Sequence, residues 1–170
     1  RLPYNRKIDI GIMIEVPSAV IMADLMAKEV DFFSIGTNDL IQYSMAIDRE
    51  NQKVAHLFRP LEPAIIRMLK HVSDVAKNSN IKLYMCGEMA SYPIHIPILL
   101  GMEMDELSMN PQSIPEVKAM IRSLSAENSK QIVEDVLKQT SALDVFTEVS
   151  ELGSYIFPPT ELTYGTVLYH

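Results

Sequence analysis

Three times in this chain an apolar run of strand length ends on a residue able to do chemistry, and each run is followed by a helical pattern. The runs are Gly11-Ile12-Met13-Ile14-Glu15, Phe32-Phe33-Ser34-Ile35-Gly36-Thr37-Asn38-Asp39, and Lys82-Leu83-Tyr84-Met85-Cys86-Gly87-Glu88. In a parallel β/α protein the ligand site lies at the carboxyl ends of the strands. The rhythm therefore predicts that Glu15, Asp39 and Cys86 share one rim.

A length of 170 residues with 48% hydrophobic content suits one globular domain with a substantial core. The apolar stretches fall short of the roughly 20 residues a membrane span requires, and no leader pattern opens the sequence, so a cytosolic (cytoplasmic) chain with no membrane partner is expected. A formal net charge of −7 argues against a nucleic-acid partner, whose phosphates demand clustered Lys and Arg. An anionic ligand must then be held by a few local groups. The single cysteine, Cys86, excludes an internal disulfide and a Cys-cluster metal site, and it fits a reducing compartment.

Punctuation along the chain sets the expected elements. Pro17 and Ser18 mark a helix start, with Ala19 to Glu29 carrying the pattern. Val30 to Ile35 reads as the second strand, followed after Asp39 by a short helical stretch and a polar loop around Arg49. Pro63 opens a helix to about Lys77 with Ile65, Ile66, Leu69, Val72, Val75 and Ala76 on one face. Ile81 to Met85 is the third strand. The run Ile94 to Leu100 reads as a buried helix stopped by a left-handed Gly101. Glu106 to Met109 is a short fourth strand. Ser113 and Glu116 have capping-box spacing and begin a helix to about Leu124, with another from about Ala126 to Gln139. Residues 141–170, with Pro158-Pro159 and three of the seven tyrosines, read as a tail of unknown role.

Four strand-then-helix units over residues 1–140 make half of an eight-stranded barrel, which typically takes about 250 residues. The fold class expected is α/β: the C-terminal half of a (β/α)8 TIM barrel with an extra helix and a tail. Alone, such a half leaves two open strand edges that invite pairing. A fragment or an obligate assembly is the expectation.

Glu15 and Asp39, at the ends of neighbouring strands, are hard oxygen ligands suited to Mg²⁺, although a carboxylate after a strand is more often a helix cap. Asn38 offers an amide donor to a phosphate or carboxylate, or else serves the turn. Arg49 offers a guanidinium for a phosphate, or else a surface ion pair with Asp48 or Glu50. Arg59 and Arg67 are weaker candidates of the same kind. An ordinary thiol is mostly protonated at neutral pH, so Cys86 is a candidate proton donor as well as a nucleophile or a core residue. His71 and His95 lie in helical patterns and read as structural or exposed. No Gly-rich phosphate loop and no His-Glu-x-x-His helix is present.

The run to Glu15, the stretch from Phe32 through Asn38-Asp39 to Tyr43, Ile47-Asp48-Arg49, Cys86-Gly87-Glu88-Met89-Ala90 and the stretch from Leu99 to Asn110 together resemble one family. They are similar to the C-terminal part of the phosphoenolpyruvate-protein phosphotransferases, enzyme I of the bacterial sugar phosphotransferase system. The resemblance spans about Asp9 to Leu124. Pyruvate phosphate dikinase and phosphoenolpyruvate synthase share the barrel, but Lys53 to Ala64 looks closer to enzyme I.

The resemblance implies that phosphoenolpyruvate (PEP) binds at the rim, passes its phosphoryl group to a histidine on another domain, and leaves as pyruvate in the first step of sugar uptake. It implies Glu15 and Asp39 as Mg²⁺ ligands, Asn38, Asp39 and Arg49 as substrate-binding residues, and Cys86 as proton donor to the enolate. The implied partners are the phosphohistidine domain of the same parent, the histidine phosphocarrier protein beyond it, and a second copy in a homodimer. The family has Gly-Asp where this chain has Ser91-Tyr92, so the loop after Cys86 need not follow the family's geometry. The phosphohistidine domain and the arginines of earlier barrel strands lie outside the sequence. A dimerisation module with a vestigial site is the competing reading.

Overall fold

The computed structural model describes residues 3–153 of the chain. Its strands are β1 (Gly11–Ile14), β2 (Phe32–Gly36), β3 (Lys82–Cys86) and β4 (Glu106–Leu107), in one sheet of order β1-β2-β3-β4 with every neighbouring pair parallel. The register sets Ile14 beside Ile35, Gly36 beside Cys86 and Met85 beside Leu107. Period-two alternation then divides the strands into two faces. Ile14, Phe33, Ile35, Leu83 and Met85 are buried and join the helices in one core. The opposite face carries Met13, Phe32, Ser34, Tyr84 and Cys86, and none of these side chains is buried. Parallel sheets are ordinarily covered on both faces; among the described residues, this one is covered on one.

Each crossover starts where its strand stops. After β1, Pro17 stands in the first turn of α1 (Pro17–Ile21), which hands over at Met22 to α2 (Ala23–Met26). The expected single helix is thus divided, with Met22 N–H still reaching Ser18 O at 3.1 Å and Met22 O accepting from Leu25 and Met26. α3 (Thr37–Met45) follows β2 without a loop, so Asn38 and Asp39 lie in its first turn, inside the helix. α4 (Pro63–Ser79) buries Ile65, Ile66, Leu69, Val72 and Ala76 and ends on a left-handed Asn80.

After β3 and two 3-10 turns, Glu88–Ser91 and Pro93–His95, comes α5 (Ile96–Gly101). The left-handed residue of this turn is Glu103, not Gly101. Gly101 is needed for closeness: a Cβ there would lie 2.1 Å from Ser129 O on α7 (Ala126–Val136). Glu103 is paired with Lys77 on α4 and Lys130 on α7, and those two ammonium groups, Lys130 first, hold its carboxyl down to about 2.

The capping box at α6 (Ile114–Ser123) does not form. Ser113 has helical backbone angles and its hydroxyl donates to Asn110 Oδ1 at 3.2 Å, so it is turned away from the amides it was expected to cap. Ser125 does cap α7, accepting from Asn128 N–H at 3.2 Å. Residues 142–153, read from sequence as the start of a tail, form α8 (Ala142–Gly153), which buries Ala142, Val145, Phe146 and Val149 in the common core. The remainder of that expected tail, with Pro158-Pro159, lies outside the described residues. No helix among the described residues is long and apolar enough to cross a membrane.

Candidate functional site

The carboxyl ends of β1, β2 and β3 bring the chemistry-bearing residues together. Glu15 follows the last paired residue of β1, and Gly36 is the last residue of β2. A Cβ on Gly36 would fall 2.9 Å from Glu15 Oε2 and 3.0 Å from Glu15 Cβ. The absence of a side chain at Gly36 is thus what lets the Glu15 carboxylate lie across the end of β2. Glu15 is half-buried and has no hydrogen-bond or ion-pair partner among the described residues.

A second set of contacts ties the β3 end to the start of α3. Thr37, fully buried, donates its hydroxyl to Cys86 O at 3.4 Å, and the Glu88 backbone N–H donates to Asn38 Oδ1 at 3.1 Å. Gly87 between them has φ +110°, a conformation that strongly favours glycine, and a Cβ there would stand 2.4 Å from Thr37 Oγ1. The bond from Glu88 decides which end of the Asn38 amide is free. Its oxygen accepts from the backbone, and its NH₂, with no partner among the described residues, is the group left to donate.

Asp39 lies one residue further along α3, and Arg49 reaches back from the loop to pair with it, Nη1 to Oδ1 at 3.6 Å. Both side chains are about 40% exposed, at 38% and 43%. An ion pair this exposed contributes little to stability, so a ligand can separate it at small cost. The Arg49 backbone N–H is itself anchored on Gln42 Oε1 at 3.3 Å.

Cys86 points into the uncovered face. Its Sγ lies 3.8 Å from Ser34 Oγ, 3.7 Å from Met13 Sδ and 3.6 Å from Ile35 O. None of these contacts among the described residues is a histidine. His71 is exposed on α4. His95 is buried with Nδ1 3.2 Å from Met89 O, and burial pushes its pKa down to about 4. Arg59 pairs with Glu62 at 3.9 Å, and Arg67 donates to Leu137 O at 2.9 Å, which gives both structural partners.

The donor set fits a hard divalent cation. Glu15 lies against the end of β2 and Asp39 stands in the first turn of the helix that follows it, with Arg49 the one guanidinium paired there among the described residues. An anionic ligand at these strand ends would therefore meet net negative charge without a cation. Among the described residues no three His, Cys, Asp or Glu side chains form a metal cluster. Two carboxylates with the remaining positions left to water and substrate are the pattern Mg²⁺ favours. Sequence reasoning missed Ser34, Thr37, Gly87 and Gln42. Alternation back from Gly36 would have placed Ser34 on the Cys86 side, whereas the others act through contacts between distant segments.

The family model for the PEP-utilising enzyme, PEP-binding domain, matches residues 1–126. The phosphoenolpyruvate-protein phosphotransferase of Geobacillus stearothermophilus is 51% identical over 147 residues, covering 86% of this chain and 25% of the relative. The enzymes of the same name from Bacillus subtilis (strain 168) and Enterococcus faecalis (strain ATCC 700802 / V583) are 46% and 45% identical over 144 and 148 residues, with 85% and 86% of this chain covered. The chain spans about a quarter of the length of these relatives. With the family model matching most of its length, the chain belongs to the PEP-utilising enzymes, within their PEP-binding domain.

Proposed function

We propose that this chain is the PEP-binding catalytic part of a phosphotransferase that moves the phosphoryl group of PEP to a histidine on another domain and releases pyruvate. The observation that carries it is the meeting of Glu15, Asn38, Asp39, Arg49 and Cys86 at the carboxyl rim of one parallel sheet. The shared name of the relatives favours this over a dikinase or synthase parent.

The fold belongs to the same proposal. A four-stranded parallel sheet with helices on one face and two edges unpaired among the described residues is half of a (β/α)8 barrel, and the uncovered face becomes the barrel interior when the other half closes on it. The phosphohistidine domain, the phosphocarrier protein, a homodimeric parent and a cytoplasmic setting follow from the same reading.

The residues divide the work by chemistry. The Asn38 NH₂ and the Arg49 guanidinium, released from Asp39, hold the phosphate. Glu15 and Asp39 would hold Mg²⁺, which when bound supplies compensation for charge on the phosphoryl group and enolate oxygen. The phosphoryl group leaves for the histidine nitrogen, the P–O bond to the enol oxygen breaks, and its electron pair remains on the enolate. The Cys86 S–H bond then breaks as a C–H bond forms at the methylene carbon, giving the methyl group of pyruvate. The thiolate regains its proton from solvent.

Calorimetric titration of PEP into the chain, with and without Mg²⁺ and repeated on Asp39→Ala, tests the site. Binding that requires both the metal and Asp39 supports it. If the chain alone is silent, the titration is repeated with the upstream barrel half supplied; silence in that folded assembly overturns the proposal.

A further inference from the structure

Cys86 is the chain's single thiol, and its surroundings are specific. Alternation along β2 and β3 puts Ser34, Gly36, Tyr84 and Cys86 on the uncovered face, with Gly36 paired to Cys86 and Ser34 one pleat behind it. Ser34 Oγ donates toward Cys86 Sγ at 3.8 Å, and Ser34 makes no other side-chain hydrogen bond among the described residues. Of the three contacts to the sulfur, two suit the protonated thiol: Met13 Sδ and Ile35 O are acceptors for its S–H. Only the serine hydroxyl donates. Once the thiol proton has gone to carbon, two lone-pair neighbours face a negative sulfur and the hydroxyl is the one group that favours it.

We propose that Ser34 is a positioning residue for Cys86, its hydroxyl holding the sulfur toward the uncovered face and donating to it once the thiol proton has left. The proposal rests on the assignment of Cys86 as the proton donor. It adds a residue from a different strand and explains why a hydroxyl stands at a position where Phe32, its neighbour on the same face, is apolar. The other titratable groups on this side are Glu15 after β1, Lys82 (paired with Asp105) and Tyr84 on β3, Glu88 after β3 and Glu106 on β4, with Asp39 and Arg49 at the rim. Substituting Ser34 leaves all of them in place.

The test uses no substrate. The rate of alkylation of the one thiol by iodoacetamide is measured against pH for the 170-residue chain, for Ser34→Ala and for Ser34→Thr, with circular dichroism checking that each is folded alike. In Ser34→Ala the pH midpoint is expected to rise by about half a unit to one unit, and the rate at pH 7 to fall roughly three- to tenfold, as the loss of one donor to a charged sulfur implies. The plateau rate at high pH, which reads access to the sulfur, is expected to stay unchanged, and Ser34→Thr is expected to restore the midpoint. An unmoved midpoint in Ser34→Ala, or a threonine that fails to restore it, overturns the inference. A change confined to the plateau also overturns it, since that is what a purely structural role would move. The calorimetric test of the PEP site fails or succeeds separately: PEP silence with a moved midpoint removes the site reading, whereas PEP binding with an unmoved midpoint removes only Ser34.

Discussion

At the scale of single residues, the site is set by which atoms are already engaged. Asn38 illustrates this best, because the Glu88 N–H binds its Oδ1 and so turns its NH₂, which has no partner among the described residues, to be the donor for a ligand. Asn38→Asp keeps the acceptor and replaces the donor with negative charge. It is expected to leave the Cys86 loop folded while weakening PEP binding at least about tenfold, the scale of one charge-assisted hydrogen bond. Calorimetry in saturating Mg²⁺ reads the affinity, and urea denaturation reads the fold. Equal affinity for both proteins would show that the amide does not touch the phosphate. That Glu15, Asp39 and Cys86 stand at the carboxyl ends of neighbouring strands was legible from the strand-end rhythm alone. That Asn38 is held in one orientation was not, because the partner that holds it lies 50 residues away.

At the scale of elements, close packing explains what local signals misread. A glycine ending an apolar helix reads as a left-handed stop, yet Gly101 is there because α7 passes directly over it. Gly101→Ala is expected to push α5 and α7 apart and to destabilise the chain by about 1–3 kcal/mol, the range for overpacking a tight contact. A urea midpoint unchanged from the parent would contradict that contact. His95, 1% exposed at the start of α5, makes a second expectation. Burial lowers its pKa from 6.5 to about 4, outweighing the opposing bond to Met89 O. The unfolded chain therefore takes up this proton near pH 6.5 and the folded chain only near pH 4. Stability present above that window is lost as pH falls through it, by up to about 3 kcal/mol. Urea midpoints measured from pH 7 to pH 4 should fall accordingly, and His95→Gln should flatten that part of the profile. α8 belongs at this scale too. Its Val145, Phe146 and Val149 find their partners in elements the local pattern does not name, so from sequence the segment resembled the start of a tail.

At the scale of the whole molecule, the apolar surface at both ends of the sheet is what a half-barrel would leave. On the β1 side Ile10, Ile21 and Leu25 are 64%, 73% and 48% exposed. On the β4 side an apolar cavity of about 460 Å³ is lined by Leu99, Met104, Leu107, Ile114, Val117 and Ile121 among others. Supplying the upstream barrel half as a separate polypeptide is expected to give a one-to-one complex in which amide hydrogen exchange slows along β1 and β4 and hardly changes along β2 and β3. Equal protection on all four strands, or none, would argue against closure through these edges.

The sequence by itself determined the order of the four strands, the parallel α/β class and the placing of Glu15, Asp39 and Cys86 at the strands' carboxyl ends. Each of these follows from periodicity and from turn residues acting within a few positions of themselves. Only the tertiary structure decided that Gly36 clears the way for Glu15, that Thr37 and Asn38 clamp the Cys86 loop, that Arg49 rests on Asp39, and that Ser34 faces the thiol. Those are contacts between separate strands and loops. Their distances depend on register and on how closely two backbones approach, quantities that no local pattern encodes.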